Sequence, residues 1–328
     1  MSLLEVNGLK LRFYSLDGPV EPLNGINFQL EKGEVLGLVG ETGCGKSITA
    51  KSIIKLISYS GGEIINGSII FDNEDLLNKS EKEMQKIRGA KISLISQDPM
   101  TSLDPVYRVG DQIIEAIQVH EKLHYKEAKK KAVELMRLMG IPLPKKVFYQ
   151  YPHELSGGMK QRIIIAIALS CDPVLVIADE PTTALDVTIQ AQIIDLFSKL
   201  IEHFQSAFLL ITHDLGVVAQ MCDSVAIMYA GNIVEKGPVR KIFHSPQHPY
   251  TKGLLECIPK IDQKQKKLTA IPGTVPHPRN FPTGCRFCPR CQYAMKKCLS
   301  QQPGLTEIGD EHFVTCFRYS KNSNGEQE

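Results

Sequence analysis

Eight residues near the amino terminus have the types and spacing of a loop that binds phosphate. Residues 40–47 read Gly-Glu-Thr-Gly-Cys-Gly-Lys-Ser and fit the pattern G-x-x-x-x-G-K-[ST]. Glycines allow the backbone to curl so that successive N–H groups point at an anion. Lys46 would reach the β- and γ-phosphates of a nucleotide, and the Ser47 hydroxyl would ligate Mg²⁺. A chance match in a glycine-rich turn is the plain alternative, and the flanking sequence decides between the two.

The elements on either side of this loop favour phosphate binding. Residues 35–39 form an apolar run that predicts a strand, and residues 47–57 have a pattern typical of a helix. The motif binds phosphate in this strand–loop–helix context, because the helix adds the positive end of its dipole. Upstream, residues 3–14 alternate apolar and polar side chains and predict a half-buried strand. Phe13 and Tyr14 are the nearest aromatic residues that could stack on a base. Tyr14 is favoured, because Phe13 falls at the apolar positions of the alternating pattern, which are expected to face the core.

Two carboxylates follow a predicted buried strand in the second half of the chain. Residues 174–178 are all apolar, as in a sheet covered on both faces, and Asp179 and Glu180 come next. Open α/β sheets place ligand chemistry at the carboxyl ends of their strands. We therefore expect Asp179 to hold Mg²⁺ with Ser47 and Glu180 to accept a proton from an attacking water. A merely solvated acidic pair is the alternative, which the phosphate loop makes less attractive.

Gln97 and His213 also lie at the ends of predicted strands, which cover residues 91–96 and 207–211. An amide there can contact both the metal shell and the attacking water, and an imidazole there can hydrogen-bond a γ-phosphate. Alone, each would be an ordinary polar residue at the end of a strand. With the phosphate loop present, both join Glu180 in the candidate catalytic set, and Gln97 also joins the expected Mg²⁺ ligands.

Residues 155–162 read Leu-Ser-Gly-Gly-Met-Lys-Gln-Arg and open a predicted helix. Ser156, Gly157 and Gly158 at the start of that helix would make a second anion site. Because one polypeptide carries two such sites, we expect a second subunit to complete the first site, which is the phosphate loop.

With this stretch, the chain resembles the ATPase subunits of ABC transporters. The resemblance rests on motifs in a fixed order, namely residues 40–47, Gln97, residues 155–161, residues 174–180, Ala184-Leu185-Asp186 and His213. It covers residues 1 to about 245. It implies an α/β fold with a P-loop NTPase core, an antiparallel β subdomain and a helical subdomain at about residues 98–158. A small Cys-rich extension over residues 246–328 follows the nucleotide-binding domain.

Three further stretches resemble the dipeptide and oligopeptide importer branch of that family, at residues 96–105, 186–192 and 248–251. In the family, two ATPase domains pair head to tail with ATP between the phosphate loop of one and the Ser-Gly-Gly signature of the other. The resemblance therefore implies that Ser156–Gly158 serve the partner's nucleotide and that Asp186 lies near the dimer seam. It also implies that the helical insertion, with Gln97 at its hinge, contacts membrane subunits.

The resemblance implies ATP and Mg²⁺ as ligands and uptake of di- or oligopeptides as the function. The expected partners are a second, homologous ATPase subunit in a heterodimer, two transmembrane permease subunits and, indirectly, an extracytoplasmic peptide-binding protein, with no nucleic acid. The residues expected to contact nucleotide are Phe13, Tyr14, Gly40, Glu41, Thr42, Gly43, Cys44, Gly45, Lys46, Ser47, Ile48, Ser156, Gly157, Gly158, Asp179 and Asp186. Within this set, the Cys44 thiol is interpreted as filler rather than as a redox group.

Five of the nine cysteines lie in the last 44 residues, at positions 285, 288, 291, 298 and 316. Such a cluster suits a [4Fe–4S] centre or tetrahedral Zn²⁺, and the spacing alone favours neither. The importer branch carries a similar Gly-Cys-x-Phe-x-Pro-Arg-Cys segment associated with [4Fe–4S] binding. The resemblance therefore implies Cys285, Cys291, Cys298 and Cys316 as ligands, with Cys288 as the alternative. The rest of this region, including a basic linker at residues 260–267, has no strong periodicity and is expected to be loop-rich.

Composition sets limits on the class of protein. The formal net charge of +2 gives no indication of nucleic-acid binding. No apolar run approaches the roughly 18 residues that span a bilayer, and no secretory signal is visible. These features predict a cytosolic protein, and the resemblance to importer ATPases implies that it works as a peripheral subunit at the cytoplasmic face of a membrane.

The sequence leaves two alternatives open and argues against a third. The same machinery could import another substrate such as nickel. An iron–sulfur-regulated ABC-type ATPase would use the cysteines for sensing. An ABC-type ATPase acting on DNA or ribosomes would be expected to carry a coiled-coil insertion or strongly basic patches, and the sequence has neither.

Overall fold

The computed structural model describes residues 2–98, 101–183, 186–257 and 271–320. Three predicted features therefore lie wholly or partly outside the described residues. They are the linker at residues 260–267, Ala184-Leu185 of the motif before Asp186, and Pro99-Met100 within the stretch 96–105.

Strands and helices alternate along most of the chain. The strands are β1 (Ser2–Ser15), β2 (Gly18–Glu31), β3 (Val35–Val39), β4 (Gly62–Phe71), β5 (Glu74–Asp75), β6 (Ile92–Ile95), β7 (Leu175–Asp179), β8 (Ala207–Thr212), β9 (Ser224–Tyr229), β10 (Asn232–Pro238), β11 (Thr306–Gly309) and β12 (His312–Val314). The α-helices are α1 (Lys46–Ile53), α2 (Glu81–Ile87), α3 (Val109–Glu121), α4 (Tyr125–Leu138), α5 (Pro144–Val147), α6 (Gly157–Ala168), α7 (Val187–Phe204), α8 (Leu215–Met221), α9 (Val239–His244), α10 (Pro249–Glu256) and α11 (Lys296–Ser300). Short 3₁₀ helices lie at Ile57–Ser60, Leu76–Asn78, Pro152–Glu154, Pro278–Asn280, Cys288–Arg290 and Phe317–Tyr319.

One compact unit comprises residues 30–35 and 78–211. Its strands β6, β7 and β8 pair in parallel, with Ile92 opposite Leu175 and Leu175 opposite Ala207. Every residue of β7 and β8 is buried, which explains the all-apolar runs, because a parallel sheet is covered on both faces. Helices α3 and α4 lie in the predicted helical subdomain, and the left-handed backbone of Lys122 (φ 53°) ends α3.

The second compact unit comprises residues 2–29, 36–77 and the chain from 212 onward. Strands β2, β1, β4 and β5 form the antiparallel sheet that the family resemblance implied, with Leu4 opposite Phe71. In a second sheet, β3 and β9 are parallel, whereas β9, β10, β12 and β11 follow as antiparallel neighbours. The predicted boundary near residue 245 lies inside this unit and stays a prediction.

The carboxyl-terminal region is more regular than its sequence suggests. Strands β11 and β12 form a hairpin that pairs with β10 through Glu235 opposite Val314. The strands have four and three residues, too few for an alternating pattern to show, and the residues of β10 that pair with β12 lie nearly 80 positions earlier in the sequence. The expectation of a loop-rich tail is therefore wrong for residues 306–314.

In the described part of the chain, no helix is both long and apolar enough to cross a membrane.

Candidate functional site

The phosphate loop lies between β3 and α1, in the strand–loop–helix order that the motif requires. Gly43 and Gly45 have positive φ angles of 83° and 111°, and Gly45 is the N-cap of α1. A side chain would strain both positions, which explains the glycines. Lys46 is buried, and its Nζ donates hydrogen bonds to the carbonyl oxygens of Gly40 and Glu41 at 2.8 and 3.3 Å. The ammonium group is thus held within the curl of the loop.

Neighbouring backbone packs tightly against the base of this loop. A Cβ on Gly40 would lie 2.1 Å from the carbonyl oxygen of Met228 in β9, so no larger residue fits there. The N–H of Gly231 donates a 2.8 Å hydrogen bond to the carbonyl of Cys44. The Cys44 side chain is 1% exposed, and burial raises the pKa of its thiol to about 11. These observations support the interpretation of Cys44 as a packed, protonated filler.

The carboxyl-terminal region contributes two contacts to the loop that sequence reasoning missed. Arg290 donates to both carboxylate oxygens of Glu41, at 2.9 and 3.2 Å. The hydroxyl of Tyr250 accepts the backbone N–H of Glu41 at 3.1 Å. No sequence spacing signals these contacts, because more than 200 residues separate the partners.

The strand-end carboxylates belong to the first unit, and their environment is specific. Asp179 and Glu180 are both buried at the end of β7. The Glu180 backbone has a φ of 48°, and its N–H donates to the Ile211 carbonyl at 2.8 Å. A left-handed glutamate costs on the order of 1–3 kcal/mol and is typical of functional positions.

Gln97 and Thr183 orient the Glu180 side chain. The Gln97 Nε2 and the Thr183 Oγ1 donate to the Glu180 Oε2 at 3.1 and 2.9 Å. The structure therefore brings together two residues of the candidate catalytic set, Gln97 and Glu180. Sequence reasoning missed Thr183, although it follows the carboxylate by only three residues. Such fixed donors aim the carboxylate, as general base catalysis on a bound water requires.

The Ser-Gly-Gly stretch forms the start of α6. Ser156 is the N-cap, and its Oγ accepts the N–H of Met159 at 3.3 Å. Ser156 and Gly157 are exposed, and a Cβ on Gly158 would lie 2.9 Å from a methyl carbon of Ile189. The helix start therefore presents backbone N–H groups on an exposed surface, as an anion site needs.

Three of the remaining predicted residues, Asp186, His213 and Tyr14, are exposed. Asp186 is the N-cap of α7 and accepts the N–H of Ile189 at 3.0 Å. His213 is exposed immediately after β8. Tyr14 is 65% exposed, whereas Phe13 is half-buried beside Gly62, in keeping with the preference for Tyr14 in base stacking. That role stays a prediction.

The five tail cysteines lie within residues 285–316 of the second unit, a segment that we name the Cys-rich lobe. The N–H of Cys285 donates to the Cys298 carbonyl at 2.9 Å, and a Cβ on Gly284 would lie 2.3 Å from the same oxygen. The pKa of the Cys285 thiol is raised to about 12, mainly by burial and to a smaller extent by the neighbouring Cys298 and Cys291 thiols. Within the described ranges, however, no group of three or more His, Cys, Asp or Glu side chains is arranged to hold a metal ion.

Comparison with known proteins agrees with the motifs. The family model described as "ABC transporter" matches residues 23–183, and "Oligopeptide/dipeptide transporter, C-terminal region" matches residues 234–298. The chain is 50% identical to the oligopeptide transport ATP-binding protein AppD of Bacillus subtilis, over 98% of both chains. It is 49% identical to the dipeptide transport ATP-binding protein DppD of the same organism, over 96% of this chain and 94% of that one.

Solved structures support the fold. The ATP-binding cassette MJ0796, in a dimeric post-hydrolysis state with ADP and Pi, matches with a TM-score of 0.65 and 24% identity, over 72% of this chain and 99% of that one. The cbiO1 protein of Clostridium perfringens, part of the ABC transporter complex cbiONQ, matches with a TM-score of 0.63 and 28% identity, over 74% and 91% of the two chains. The expectation drawn from the motifs is confirmed, and the chain belongs to the ATP-binding subunits of the oligopeptide and dipeptide ABC transporters.

Proposed function

We propose that this chain hydrolyses ATP to drive the uptake of di- or oligopeptides through partner membrane subunits. The observation that carries the proposal is the match over 98% of an oligopeptide transport ATP-binding protein, which includes the carboxyl-terminal region. The local geometry supports it, because a phosphate loop and an oriented buried carboxylate are the parts that ATP hydrolysis needs.

Each candidate residue receives one role in this proposal. Lys46 and the N–H groups of residues 40–48 bind the β- and γ-phosphates, and Tyr14 stacks on the base. Ser47, Gln97 and Asp179 would hold Mg²⁺, which neutralises phosphate charge when bound. Glu180 takes the proton of the attacking water, and His213 hydrogen-bonds the γ-phosphate.

A second ATPase subunit completes the site in this proposal. The exposed N-terminus of α6 at Ser156–Gly158 faces the partner's nucleotide, and Asp186 lies near the seam. The partner is a homologous subunit, and the helical insertion contacts two permease subunits that receive peptide from an extracytoplasmic binding protein. Closure on ATP and reopening after hydrolysis would supply the mechanical step at the cytoplasmic face of the membrane.

Reconstituted transport tests this function. Proteoliposomes that contain the partner subunits should accumulate labelled peptide in an ATP-dependent manner, and Lys46→Ala should abolish uptake. Lys199→Gln, which removes an exposed Lys199–Asp195 ion pair, is the matched control and should transport normally. If ATP drove the uptake of nickel and not of peptide, the assignment as a transport ATPase would hold, but the proposed substrate would be wrong.

We also propose that the tail cysteines hold a [4Fe–4S] cluster, with Zn²⁺ as the alternative. The donor set supports this, since five thiols occur within 32 residues of one lobe. Two buried guanidinium nitrogens in the same lobe, Arg286 Nε and Arg318 Nη1, have no hydrogen-bond partner among the described residues. Of the two, Arg318 acts on a tail thiol, that of Cys316, and its charge suits an anionic occupant, although the thiols as described are not in a ligating arrangement.

Metal analysis of anaerobically purified protein tests the tail proposal. About four irons and four sulfides per chain would support the cluster. Stoichiometric zinc would instead identify a structural zinc site in the tail. The absence of both iron and zinc would refute the proposal. Single Cys→Ala variants would then identify the fourth ligand among the five candidates.

A further inference from the structure

Arg290 connects the Cys-rich lobe to the phosphate loop. Its side chain is 6% exposed, and its Nη1 donates to both carboxylate oxygens of Glu41, the second residue of the loop. Glu41 is the only acidic residue of the loop 40–47. A carboxylate at this place would repel a triphosphate unless a cation neutralised it. Arg290 is positioned to do so.

Tyr250 holds the backbone of the same loop residue. Its hydroxyl accepts the Glu41 N–H at 3.1 Å, and the ring is fully buried. The carbonyl of Glu41 in turn accepts a hydrogen bond from Lys46 Nζ at 3.3 Å. The position of Glu41 therefore affects the lysine that is expected to meet the phosphates.

The two contacting residues are themselves fixed by the tail. Arg290 ends the 3₁₀ turn Cys288–Arg290, and its Nε donates to the Pro272 carbonyl at 2.8 Å. Phe287, one residue before that turn, packs edge-on against Tyr229 and at a tilt against Tyr250, with ring centroids 5.1 and 5.5 Å away. An aromatic cluster thus joins the cysteine segment to both contacts, and the guanidinium is pre-organised rather than mobile.

We propose that Arg290 and Tyr250 are positioning residues of the phosphate loop, through which the Cys-rich lobe sets nucleotide affinity. Arg290 neutralises and orients the Glu41 carboxylate, and Tyr250 fixes the Glu41 backbone. Such coupling is reciprocal, so nucleotide binding also affects the lobe. The inference rests on the proposed binding of ATP by residues 40–48.

The test compares binding of a fluorescent ATP analogue to full-length variants of the isolated subunit, with melting temperature measured in parallel. We expect Arg290→Gln to weaken binding about tenfold, the size of an ordinary coupling between sites, and Tyr250→Phe to weaken it less. Arg290→Lys should recover part of the loss, because charge is retained while the two-oxygen geometry is not. The control is Asp310→Asn, which breaks a tail ion pair with Lys241 (2.6 Å) away from the loop and should leave affinity unchanged.

A double-mutant cycle separates positioning from general stability. In a Glu41→Gln background, Arg290→Gln should have little further effect on affinity, because no carboxylate remains to neutralise. Unchanged affinity in Arg290→Gln, an equal loss in Asp310→Asn, or full additivity with Glu41→Gln would overturn the inference. Failure of the wild-type chain to bind the analogue would instead refute the proposed function, so the two failures are distinguishable.

Discussion

At the scale of single residues, Glu180 shows most clearly how the fold prepares a group for chemistry. Its φ of 48° and its buried carboxylate are both unfavourable for an ordinary glutamate. The two donors on its Oε2, Gln97 and Thr183, keep the carboxylate in one orientation. Conformational strain and fixed hydrogen bonds together indicate a position maintained for function.

Thr183 should therefore matter for turnover rather than for binding. We expect Thr183→Val, which keeps the side-chain shape and removes the hydroxyl donor, to lower the ATP turnover rate about tenfold or more, because the base is less well aimed. The affinity for ATP should stay near the wild-type value. Steady-state kinetics with separate kcat and KM values would check this. An unchanged kcat would remove Thr183 from the positioning of Glu180.

His248 should make stability dependent on pH. Burial lowers the pKa of His248 to about 4 from 6.5, although the Glu235 carboxylate opposes this shift. Between these values the unfolded chain binds more protons than the folded one. The free energy of unfolding should therefore fall as the pH is lowered from 6.5 toward 4, by up to about 3 kcal/mol from this group.

The matched variant for that prediction is His248→Asn. The His248 Nδ1 accepts the Tyr250 N–H at 3.0 Å and caps α10, and an asparagine oxygen can take the same place. Chemical denaturation at pH 7.5 and pH 5 would compare the two proteins. The wild type should lose more stability than His248→Asn over this interval, and equal losses would show that His248 does not titrate in this way.

At the scale of elements, the phosphate loop depends on its neighbours as much as on its own glycines. The order of strand, loop and helix was predicted correctly, because glycine spacing and element order are local properties, although α1 ends at Ile53 and not at residue 57. The contacts from Met228, Gly231, Tyr250 and Arg290 are non-local. Nothing in a single sequence shows them.

Gly231, between β9 and β10, offers a test of this support. It has a φ of 77°, and a Cβ there would lie 1.8 Å from the Pro22 carbonyl oxygen. Gly231→Ala should lower the free energy of unfolding by at least about 2 kcal/mol, through backbone strain and the clash.

Gly304→Ala is the control, because its Cβ would meet no atom within 4 Å and its φ is not left-handed. Thermal unfolding of both variants would measure the difference. Equal melting temperatures would show that the backbone at residue 231 relaxes at little cost and that the close approach is not required.

At the scale of the whole chain, the ordered motifs were sufficient to predict the family, and the comparisons confirm it. The P-loop α/β core and the antiparallel sheet were predictable, since long periodic segments and motif order carry that information. The hairpin β11–β12 was missed because its strands are short and its partner β10 is distant in sequence. The link between Arg290 and Glu41 was missed for the same physical reason.

All other roles depend on the proposal that this chain hydrolyses ATP with Glu180 as the base, in a dimer that closes on nucleotide. The most direct measurement combines ATP turnover with sedimentation of Glu180→Gln, alone and with the partner ATPase subunit. We predict a fall in turnover of about 10²-fold or more, retained ATP binding and a dimer that forms only with ATP. Hydrolysis at the wild-type rate by Glu180→Gln would contradict it.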